Sequence, residues 1–544
     1  MTVGDAVDPD DGDPRGDLTW GTTPRLLASA VERFGAAKAL VDGPVRLSWV
    51  ELGQRVEAAA AAFVAAGVTL GDRVAVWAPN CWEWVVALLG LQSAGGVVVP
   101  INTRYKGDEA AYLLKTSRAK VLVTVDSFLG NDYVAMLAGH ELPHLQRTVV
   151  VRPAADRAGT ESWDAFVSSG SGVDHGEVAA RVAAVDPAST ADLLFTSGTT
   201  GRPKGVVQAH GQTVRCVATW ATQVGLRADD RYLIVNPFFH AFGYKAGILA
   251  CLVSGATMLP LPQLDVAAVM AIIPAERISM IPGPPTIYQT ILNHPDRAGL
   301  DAASLRLAVT GAAAVPVSLV TQMREELGFE TVITAYGLTE ACGFATMCRH
   351  DDDAETIATT SGRAMPGVEV RVVDDAGDEV ARGQPGEVVV RGYNVMREYF
   401  EDPVQTAEAI DPAGWLHTGD VGVMDDRGYL RITDRKKDMF IVGGFNVYPA
   451  EVEGQLVEHP AVAQVAVVGV PDARLGEVGV AFVVRATGST VTEAELVAWA
   501  RASIANFKVP RHVRFVEALP LNAGGKVLKY ELRERALAEQ GERT

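Results

Sequence analysis

The chain has 544 residues, and 48% of them are hydrophobic, so it is long enough for several domains with large cores and is not disordered as a whole. Its 48 Lys and Arg stand against 66 Asp and Glu, and the net charge of −18 argues against a nucleic-acid-binding protein and a polybasic membrane anchor. The five cysteines form no CxxC pair, which favours a reduced, cytoplasmic setting over a disulfide scaffold.

The first residues, 1–17, are acidic and rich in Gly and Pro, and we expect a disordered tail there rather than a signal peptide. The longest apolar run, residues 246–262, is interrupted by Ser254, Gly255 and Thr257. A bilayer span needs ~20 apolar residues. We therefore expect this run to be buried core, and no membrane span.

From residue 18 on, segments with apolar residues three or four positions apart alternate with short β-rich runs. Helices are predicted at 23–35 and 48–67, and strands at 73–79, 96–101 and 120–125. This alternation predicts βαβ units and mostly parallel sheets, so the fold class is α/β.

The pattern becomes rich in short strands after about residue 362. Three of these predicted strands lie at 367–374, 386–392 and 429–435. Helices and strands alternate again near the end of the chain, over a length common for one domain. We predict a large N-terminal domain over 18–433, with a β-rich subdomain at about 362–433, and a small α+β C-terminal domain over 434–544.

The sequence LLFTSGTTGRPKG, residues 193–205, is the most informative stretch. An apolar, strand-like start leads into hydroxyl side chains and glycines, whose backbone N–H groups can turn toward an anion. A Walker P-loop does not fit, because Pro203 stands where its second glycine would be. The stretch predicts a phosphate-binding loop that contains Thr196, Ser197, Gly198, Thr199, Thr200, Gly201 and Lys204.

The segment TSGTTGRPKG resembles the phosphate-binding loop of the adenylate-forming superfamily, which comprises acyl- and aryl-CoA ligases, peptide-synthetase adenylation domains and beetle luciferases. Further motifs follow in the family's order across nearly the whole chain. The resemblance implies an AMP-forming ligase that takes a carboxylic acid, ATP and coenzyme A, with Mg²⁺ on the phosphates and an acyl-adenylate intermediate. It also implies a mobile C-terminal lid domain.

The sequence TAYGLTE, residues 334–340, resembles the family's nucleotide motif. The resemblance implies that Tyr336 stacks on adenine, that Gly337 allows a tight bend and that Thr339 lies near the α-phosphate. Glu340 and Thr196 would be the protein's ligands for Mg²⁺. Further nucleotide contacts implied in this way are Gly311, Ala312 and Ala313 at the adenine edge, and Asp420 and Arg435 at the ribose.

The C-terminal stretch 518–533 resembles the family's last motif and implies that Lys526, in a Gly-rich turn, is the catalytic cation of adenylate formation. The resemblance also implies a hinge at Asp434. Rotation about it would exchange Lys526 for a segment in which Gly443, Gly444 and Phe445 border the narrow pantetheine arm of CoA.

The sequence NPFFHAFGYKAGIL, residues 236–249, resembles the segment that borders the acyl site, where His240 is a catalytic candidate. Further walls of the acyl pocket are expected to be Lys245, Pro284, Tyr288, Cys342 and Phe344. Mixed aromatic and small residues suit a compact, bulky acid. The texture of these segments resembles family members that activate a sterol-derived bicyclic (indanedione) propanoate.

Several alternatives stay open from the sequence alone. A ligase for a medium- or long-chain fatty acid or an aryl acid has the same motifs, as has an amino-acid adenylation domain, although no Asp for an ammonium lies between Phe238 and Pro262. Retention of Lys204, Glu340 and Lys526 disfavours a non-catalytic nucleotide-binding scaffold. His and Cys residues do not cluster as zinc ligands. A homodimer is compatible with the sequence.

Overall fold

The computed structural model describes residues 21–196, 203–311, 315–435, 438–442, 445–447, 449–472, 474–504, 506–521 and 527–541. The chain folds into two compact units. The larger unit takes the described residues up to 311, with 315–369 and 390–416, and the smaller unit takes 370–389 and those from 417 onward. The smaller unit thus includes much of the β-rich subdomain, which the sequence had suggested would belong with the N-terminal domain. The hinge at Asp434 stays a prediction.

The larger unit contains a nine-stranded sheet whose central strands are parallel and almost wholly buried. Short runs of Val, Ile, Leu and Ala suit strands that are covered on both faces. In spatial order the strands are Arg363–Ala364, Thr346–Met347, Thr331–Tyr336, Leu307–Thr310, Met280–Gly283, Arg231–Ile234, Thr257–Pro260, Lys38–Asp42 and Val45–Ser48.

A second sheet of eight strands completes the β-structure that positions the site in this unit. Five of its pairings are parallel, and two at one edge are antiparallel. In spatial order the strands are Glu398–Tyr399, Lys204–Ala209, Thr190–Thr196, Val97–Pro100, Arg73–Trp77, Val121–Val125, Arg147–Val151 and Glu161–Ser162. A separate hairpin pairs Ser127–Phe128 with Asn131–Asp132.

Several helices of the larger unit begin at a side-chain N-cap. At Ser48, for example, the hydroxyl accepts from the Glu51 N–H while the Glu51 carboxylate accepts from the Ser48 N–H, a capping box. The α-helices are Thr23–Phe34, Trp49–Ala65, Trp82–Ser93, Gly107–Ser117, Tyr133–Met136, Trp163–Ser168, His175–Ala184, His210–Val224, Ala250–Ser254, Val266–Ala275, Pro285–Leu292, Val317–Glu325, Ala354–Thr359 and Pro403–Ala409. Short 3₁₀ turns lie at Ser169–Gly172, Pro295–Gly299 and Thr339–Ala341.

The helix Trp82–Ser93 is apolar around nearly its whole circumference, which is typical of a helix buried on all sides. It contacts Val97–Pro100 of the eight-stranded sheet and Lys38–Asp42 of the nine-stranded sheet. It therefore lies between the two sheets and joins their cores.

The prediction for residues 246–262 is confirmed. They form part of a π-helix, Phe242–Leu249, the helix Ala250–Ser254 and the strand Thr257–Pro260, and nearly all of them are buried. Within the described part of the chain no helix is long and apolar enough to cross a membrane.

The smaller unit has two antiparallel-rich sheets and three helices in its described residues. Most of a four-stranded sheet belongs to it: Val368–Val373, Pro385–Gly392, Leu416–Met424 and Leu430–Arg435. The other sheet has Phe445–Val447, Phe440–Val442, Gly476–Arg485, Val462–Asp472 and His512–Phe515. The helices are Pro449–Val457, Glu493–Ser503 and Lys529–Gly541.

Candidate active site

The two ends of the predicted phosphate loop are fixed by one antiparallel strand pair. Thr196 lies directly opposite Lys204 where Thr190–Thr196 pairs with Lys204–Ala209. Thr196 ends its strand at the edge where the parallel strands finish, which is where α/β sheets bind ligands. Ser197, Gly198, Thr199, Thr200 and Gly201 lie outside the described residues.

Glu340 is brought to the same place by the strand Thr331–Tyr336 and the short turn that follows it. One carboxylate oxygen, Oε1, lies 3.4 Å from Oγ1 of Thr196, which donates to it. The Glu340 carbonyl accepts from the Met396 N–H at 2.7 Å, so the backbone of the turn is held as well. The two predicted magnesium ligands are therefore neighbours.

Tyr399 completes this group, and the sequence reasoning missed it. Its phenol donates to Oε1 of Glu340 at 3.0 Å. Burial and the nearby Glu340 charge raise the pKa of the Tyr399 phenol, so it stays protonated and donates. Nζ of Lys204 lies 5.0 Å from the centre of the Tyr399 ring and also donates to Gln405. An aromatic residue within a segment of weak strand character gave no signal for this role.

The nucleotide motif contains a glycine that close packing demands. A Cβ added at Gly337 would lie 2.1 Å from the carbonyl oxygen of Gly343. Tyr336 is half-buried at the end of its strand, and Gly311 follows the neighbouring strand Leu307–Thr310. Parallel strand ends thus gather these predicted adenine contacts along one edge, while Ala312 and Ala313 lie outside the described residues.

The donor set suits Mg²⁺ bound mainly through a nucleotide. Among the described residues no group of three His, Cys, Asp or Glu side chains could hold a metal ion. Mg²⁺ in nucleotide sites takes one or two carboxylates together with phosphate oxygens and water. Glu340 would supply the carboxylate and Thr196 a hydroxyl, and magnesium held there would neutralise charge on the phosphates.

Two further predicted nucleotide residues belong to the smaller unit. Asp420 is buried, and its N–H donates to Oγ1 of Thr418 at 3.1 Å. Across the strand pair Asp420 lies opposite Arg435. The predicted ribose contacts thus occupy partner positions of one sheet. Lys526, Gly443 and Gly444 lie outside the described residues, as do the side chains of Asp434, Arg435 and Phe445.

His240 lies just before the π-helix of the larger unit. Its Nδ1 accepts from the Phe242 N–H at 3.2 Å, so the proton of the neutral imidazole belongs on Nε2. His240 keeps some surface open to solvent. Nearby protein atoms nevertheless desolvate the imidazole ring, and this lowers the pKa of His240. A Cβ at Gly243 would lie 2.0 Å from the Pro237 carbonyl oxygen, so only glycine allows this tight turn.

Three aromatic side chains form a rigid cluster beside this turn. Phe344 and Phe242 each contact Trp220, with ring centres 5.8 and 6.0 Å apart, and contact each other at 6.3 Å. Of these, only Phe344 was among the predicted pocket walls. Trp220 and Phe242 were missed because the register that brings their helices together is not local in the sequence.

The other predicted pocket walls differ in exposure. Pro284 is half-buried, whereas Tyr288, Lys245 and Cys342 are enclosed. The Tyr288 phenol donates to the Ile281 carbonyl at 2.8 Å, and its ring meets Phe329 edge to face. These contacts turn Tyr288 toward the core rather than an open wall, and the acyl-pocket assignments stay predictions.

The family model described as AMP-binding enzyme matches residues 27–400, and that described as AMP-binding enzyme C-terminal domain matches residues 451–526. The chain is 52% identical to the 3-[(3aS,4S,7aS)-7a-methyl-1,5-dioxo-octahydro-1H-inden-4-yl]propanoyl:CoA ligase of Rhodococcus jostii, over 94% of this chain and 98% of that protein. It is also 52% identical to the protein of the same name from Mycobacterium tuberculosis, with the same coverage.

Among solved structures, the anthranilate CoA ligase AuaEII in complex with anthranoyl-AMP aligns with a TM-score of 0.85 and 27% identity, over 96% of this chain and 99% of that one. The predicted α/β architecture and superfamily are thereby confirmed. The chain belongs to the AMP-binding enzymes and is an acyl-CoA ligase that uses ATP, Mg²⁺ and CoA.

Proposed function

We propose that this ligase activates a sterol-derived bicyclic propanoate, the 7a-methyl-1,5-dioxo-octahydroindenyl propanoate in the names of its relatives. The observation that carries the proposal is 52% identity over 94% of the chain to two bacterial ligases so named. The reaction converts the acid, ATP and CoA into the acyl-CoA, AMP and diphosphate.

The aromatic cluster supports an acid with a blunt ring system. Trp220, Phe242 and Phe344 contact one another, and each ring limits the freedom of the other two. Aromatic side chains with two rotatable bonds form stiff walls, which suit a rigid bicyclic group better than a flexible alkyl chain. We assign His240, Pro284, Cys342 and Phe344 to the region around the acyl group.

The first half-reaction brings two anions together, because the substrate carboxylate attacks the α-phosphate of ATP. Like charges ~4 Å apart repel by about 4 kcal/mol at an effective dielectric constant of ~20. Removing that repulsion corresponds to a rate factor of about a thousand. We assign this role to the ammonium of Lys526, and assign Mg²⁺ held by Glu340 and Thr196 to the phosphates.

His240 supports this step through its neutral tautomer. With Nδ1 occupied by the Phe242 N–H, an Nε2–H donor is available to an oxygen of the acyl carboxylate. The lowered pKa keeps the ring uncharged at neutral pH, so His240 orients the acid by a hydrogen bond rather than by an ion pair.

The second half-reaction requires a thiol and no longer requires Lys526. We propose that rotation about Asp434 withdraws the lysine and places Gly443, Gly444 and Phe445 along the pantetheine arm. Glycines leave room for a narrow chain beside the backbone. Such alternation would act as a conformational gate between the two half-reactions.

We place this reaction in the cytoplasm. All five cysteines, Cys81, Cys216, Cys251, Cys342 and Cys348, are free and buried, which suits a reducing compartment.

The substrate is tested with the purified enzyme, ATP, Mg²⁺ and CoA against a panel: the bicyclic propanoate, palmitate, octanoate, ferulate and an amino acid. AMP release and acyl-CoA formation are both measured. We expect kcat/KM to be highest for the bicyclic propanoate, by at least tenfold. A preference for palmitate or ferulate would refute the sterol-derived substrate, and AMP release without acyl-CoA from an amino acid would indicate an adenylation domain.

A further inference from the structure

A buried lysine lies in the core beside the candidate active site. Neither proposed half-reaction uses it. Lys245, in the π-helix Phe242–Leu249, and Asp192, in the strand that ends at Thr196, are both completely buried. Their Nζ and Oδ2 atoms are 3.2 Å apart. The phenol of Tyr244 donates to the same carboxylate. A buried ion pair usually stabilises the fold no better than apolar side chains of similar size would. Stability alone therefore does not explain this pair, and we consider a positioning role.

The same ammonium fixes the orientation of a neighbouring amide. Nζ of Lys245 donates to Oε1 of Gln208, and because an ammonium only donates, the amide must present its oxygen there. Nε2 of Gln208 is then directed to the carbonyl of Thr339, to which it donates at 2.7 Å. Thr339 begins the turn that carries Glu340.

These contacts form a closed ring that includes the two proposed magnesium ligands, Glu340 and Thr196. The ring starts at Lys245, which donates to Gln208, and Gln208 donates to the Thr339–Glu340 turn. Oγ1 of Thr196 then donates to Oε1 of Glu340 at 3.4 Å. The strand Thr190–Thr196 returns it to Asp192 and so to Lys245. The non-covalent links are three hydrogen bonds and one ion pair, and the backbone of the strand and of the turn supplies the rest.

We infer that Lys245 is a positioning residue that, through Gln208 and the Thr339 carbonyl, holds the Glu340 carboxylate where it binds the metal ion of the nucleotide. This inference rests on the proposed role of Glu340. Without the ammonium, the Gln208 amide is free to turn over. The Thr339 carbonyl then keeps the Cys342 N–H at 3.1 Å but loses its side-chain donor, and the Glu340 turn loosens. Outer contacts of this kind are worth about tenfold or more in metal affinity.

The charge state agrees with this role. Burial acts to lower the pKa of Lys245, but nearby negative charge, chiefly that of the Asp192 carboxylate, outweighs it, so the pKa is raised and the ammonium persists at neutral pH. Loss of the lysine alone would leave Asp192 as an unpaired buried charge. A variant that removes both charges separates positioning from simple stability.

The test uses full-length Lys245→Met, Asp192→Asn and the double variant, with Lys120→Met as a matched control. Lys120 also forms an ion pair, with Asp72 at 2.6 Å, but it is partly exposed and makes no contact in the ring. Melting temperature is measured for each protein. Binding of Mn²⁺ in the presence of a non-hydrolysable ATP analogue is followed by electron paramagnetic resonance, which requires no turnover.

We expect Lys245→Met to lower the melting temperature and the double variant to recover most of it. Both should bind Mn²⁺ with the nucleotide about tenfold more weakly than the wild type, whereas Lys120→Met should match the wild type. The inference would be overturned if Lys245→Met and the double variant both bound Mn²⁺ with wild-type affinity. It would also be overturned if the double variant recovered Mn²⁺ affinity together with its melting temperature. Metal–nucleotide binding by a wild-type protein that makes no acyl-CoA would refute the proposed function separately.

Discussion

The phenol of Tyr399 donates a 3.0 Å hydrogen bond to the carboxylate oxygen of Glu340 that also accepts from Thr196. Two donors therefore converge on one oxygen, Oε1, which leaves the other carboxylate oxygen for the metal contact proposed for Glu340. Tyr399 lies in an edge strand that pairs with Lys204–Ala209, so the strand that leaves the phosphate loop also carries this support.

Replacing Tyr399 by Phe should weaken adenylate formation by about tenfold, because Glu340 loses an oriented donor while the ring remains beside Lys204. Single-turnover formation of the acyl-adenylate at limiting Mg²⁺ measures the effect. Tyr133→Phe is the matched control, since that phenol donates to the Thr103 carbonyl and does not contact Glu340. Equal rates for the Tyr399 variant and the wild type would contradict a role for this contact.

The tight bend at Gly337 leads to a second prediction. An alanine Cβ would lie 2.1 Å from the Gly343 carbonyl oxygen, so the backbone of the nucleotide motif must move. Gly337→Ala should lower kcat/KM for ATP by one to two orders of magnitude, since a shift of about 1 Å costs that much in aligned sites. Gly299→Ala, with no atom within 4 Å of its Cβ, should behave as the wild type.

Sequence patterns predicted the local parts of this molecule well. The helix predicted from residue 48 begins at its N-cap, Ser48, and nearly all of residues 246–262 are buried, as their apolar character predicts. The phosphate loop could be proposed from the sequence because its chemistry requires Gly and hydroxyl residues in a short run, and its role stays a prediction. In each case the information lay within a few consecutive residues.

Contacts between distant segments could not be predicted. Tyr399 reaches Glu340 only through the pairing of an edge strand, and Lys245 meets Asp192 only when the π-helix packs on the sheet. The prediction of Lys245 as a wall of the acyl pocket rested only on its place in an apolar segment and stays a prediction. The actual partner lies far away along the chain, and no periodicity encodes such a pairing.

Protonation of the buried His210 should make the free energy of unfolding depend on pH. This imidazole is buried, Nδ1 accepts from the Thr23 N–H, and burial lowers its pKa to about 3. An unfolded histidine has a pKa near 6.5, so the unfolded state binds more protons between those values. The contribution of His210 to the free energy of unfolding is therefore fully present above pH ~6.5 and decreases as the pH falls below that value.

When the pH falls from 7 to 5, protonation of His210 in the unfolded state should lower the free energy of unfolding by about 2 kcal/mol. Urea denaturation of the larger unit, monitored by tryptophan fluorescence, measures the loss for the wild type and for His210→Asn. The asparagine keeps an acceptor for Thr23 but does not titrate, so its loss should be smaller by that amount. Identical pH profiles would show that His210 does not titrate as inferred.

Phe344→Ala tests the aromatic cluster as a determinant of substrate choice. Removal of this ring opens space against Trp220 and Phe242. The bicyclic acid proposed to bind beside the cluster would then lose a contact. We expect kcat/KM for the bicyclic propanoate to fall 10- to 100-fold while that for octanoate changes little or rises. Equal losses for both acids would indicate a structural effect, which the melting temperature would reveal.

The most direct test concerns Lys526, whose ammonium is proposed to separate the two anions of the first half-reaction. Lys529→Ala is the matched control, because Lys529 is close in sequence and pairs with Glu453 at 2.8 Å. Rapid-quench measurement of acyl-adenylate formation from the bicyclic propanoate and ATP compares both variants with the wild type. We predict a loss of about a thousandfold for Lys526→Ala and little change for Lys529→Ala. Adenylate formation by Lys526→Ala at the wild-type rate would contradict the account.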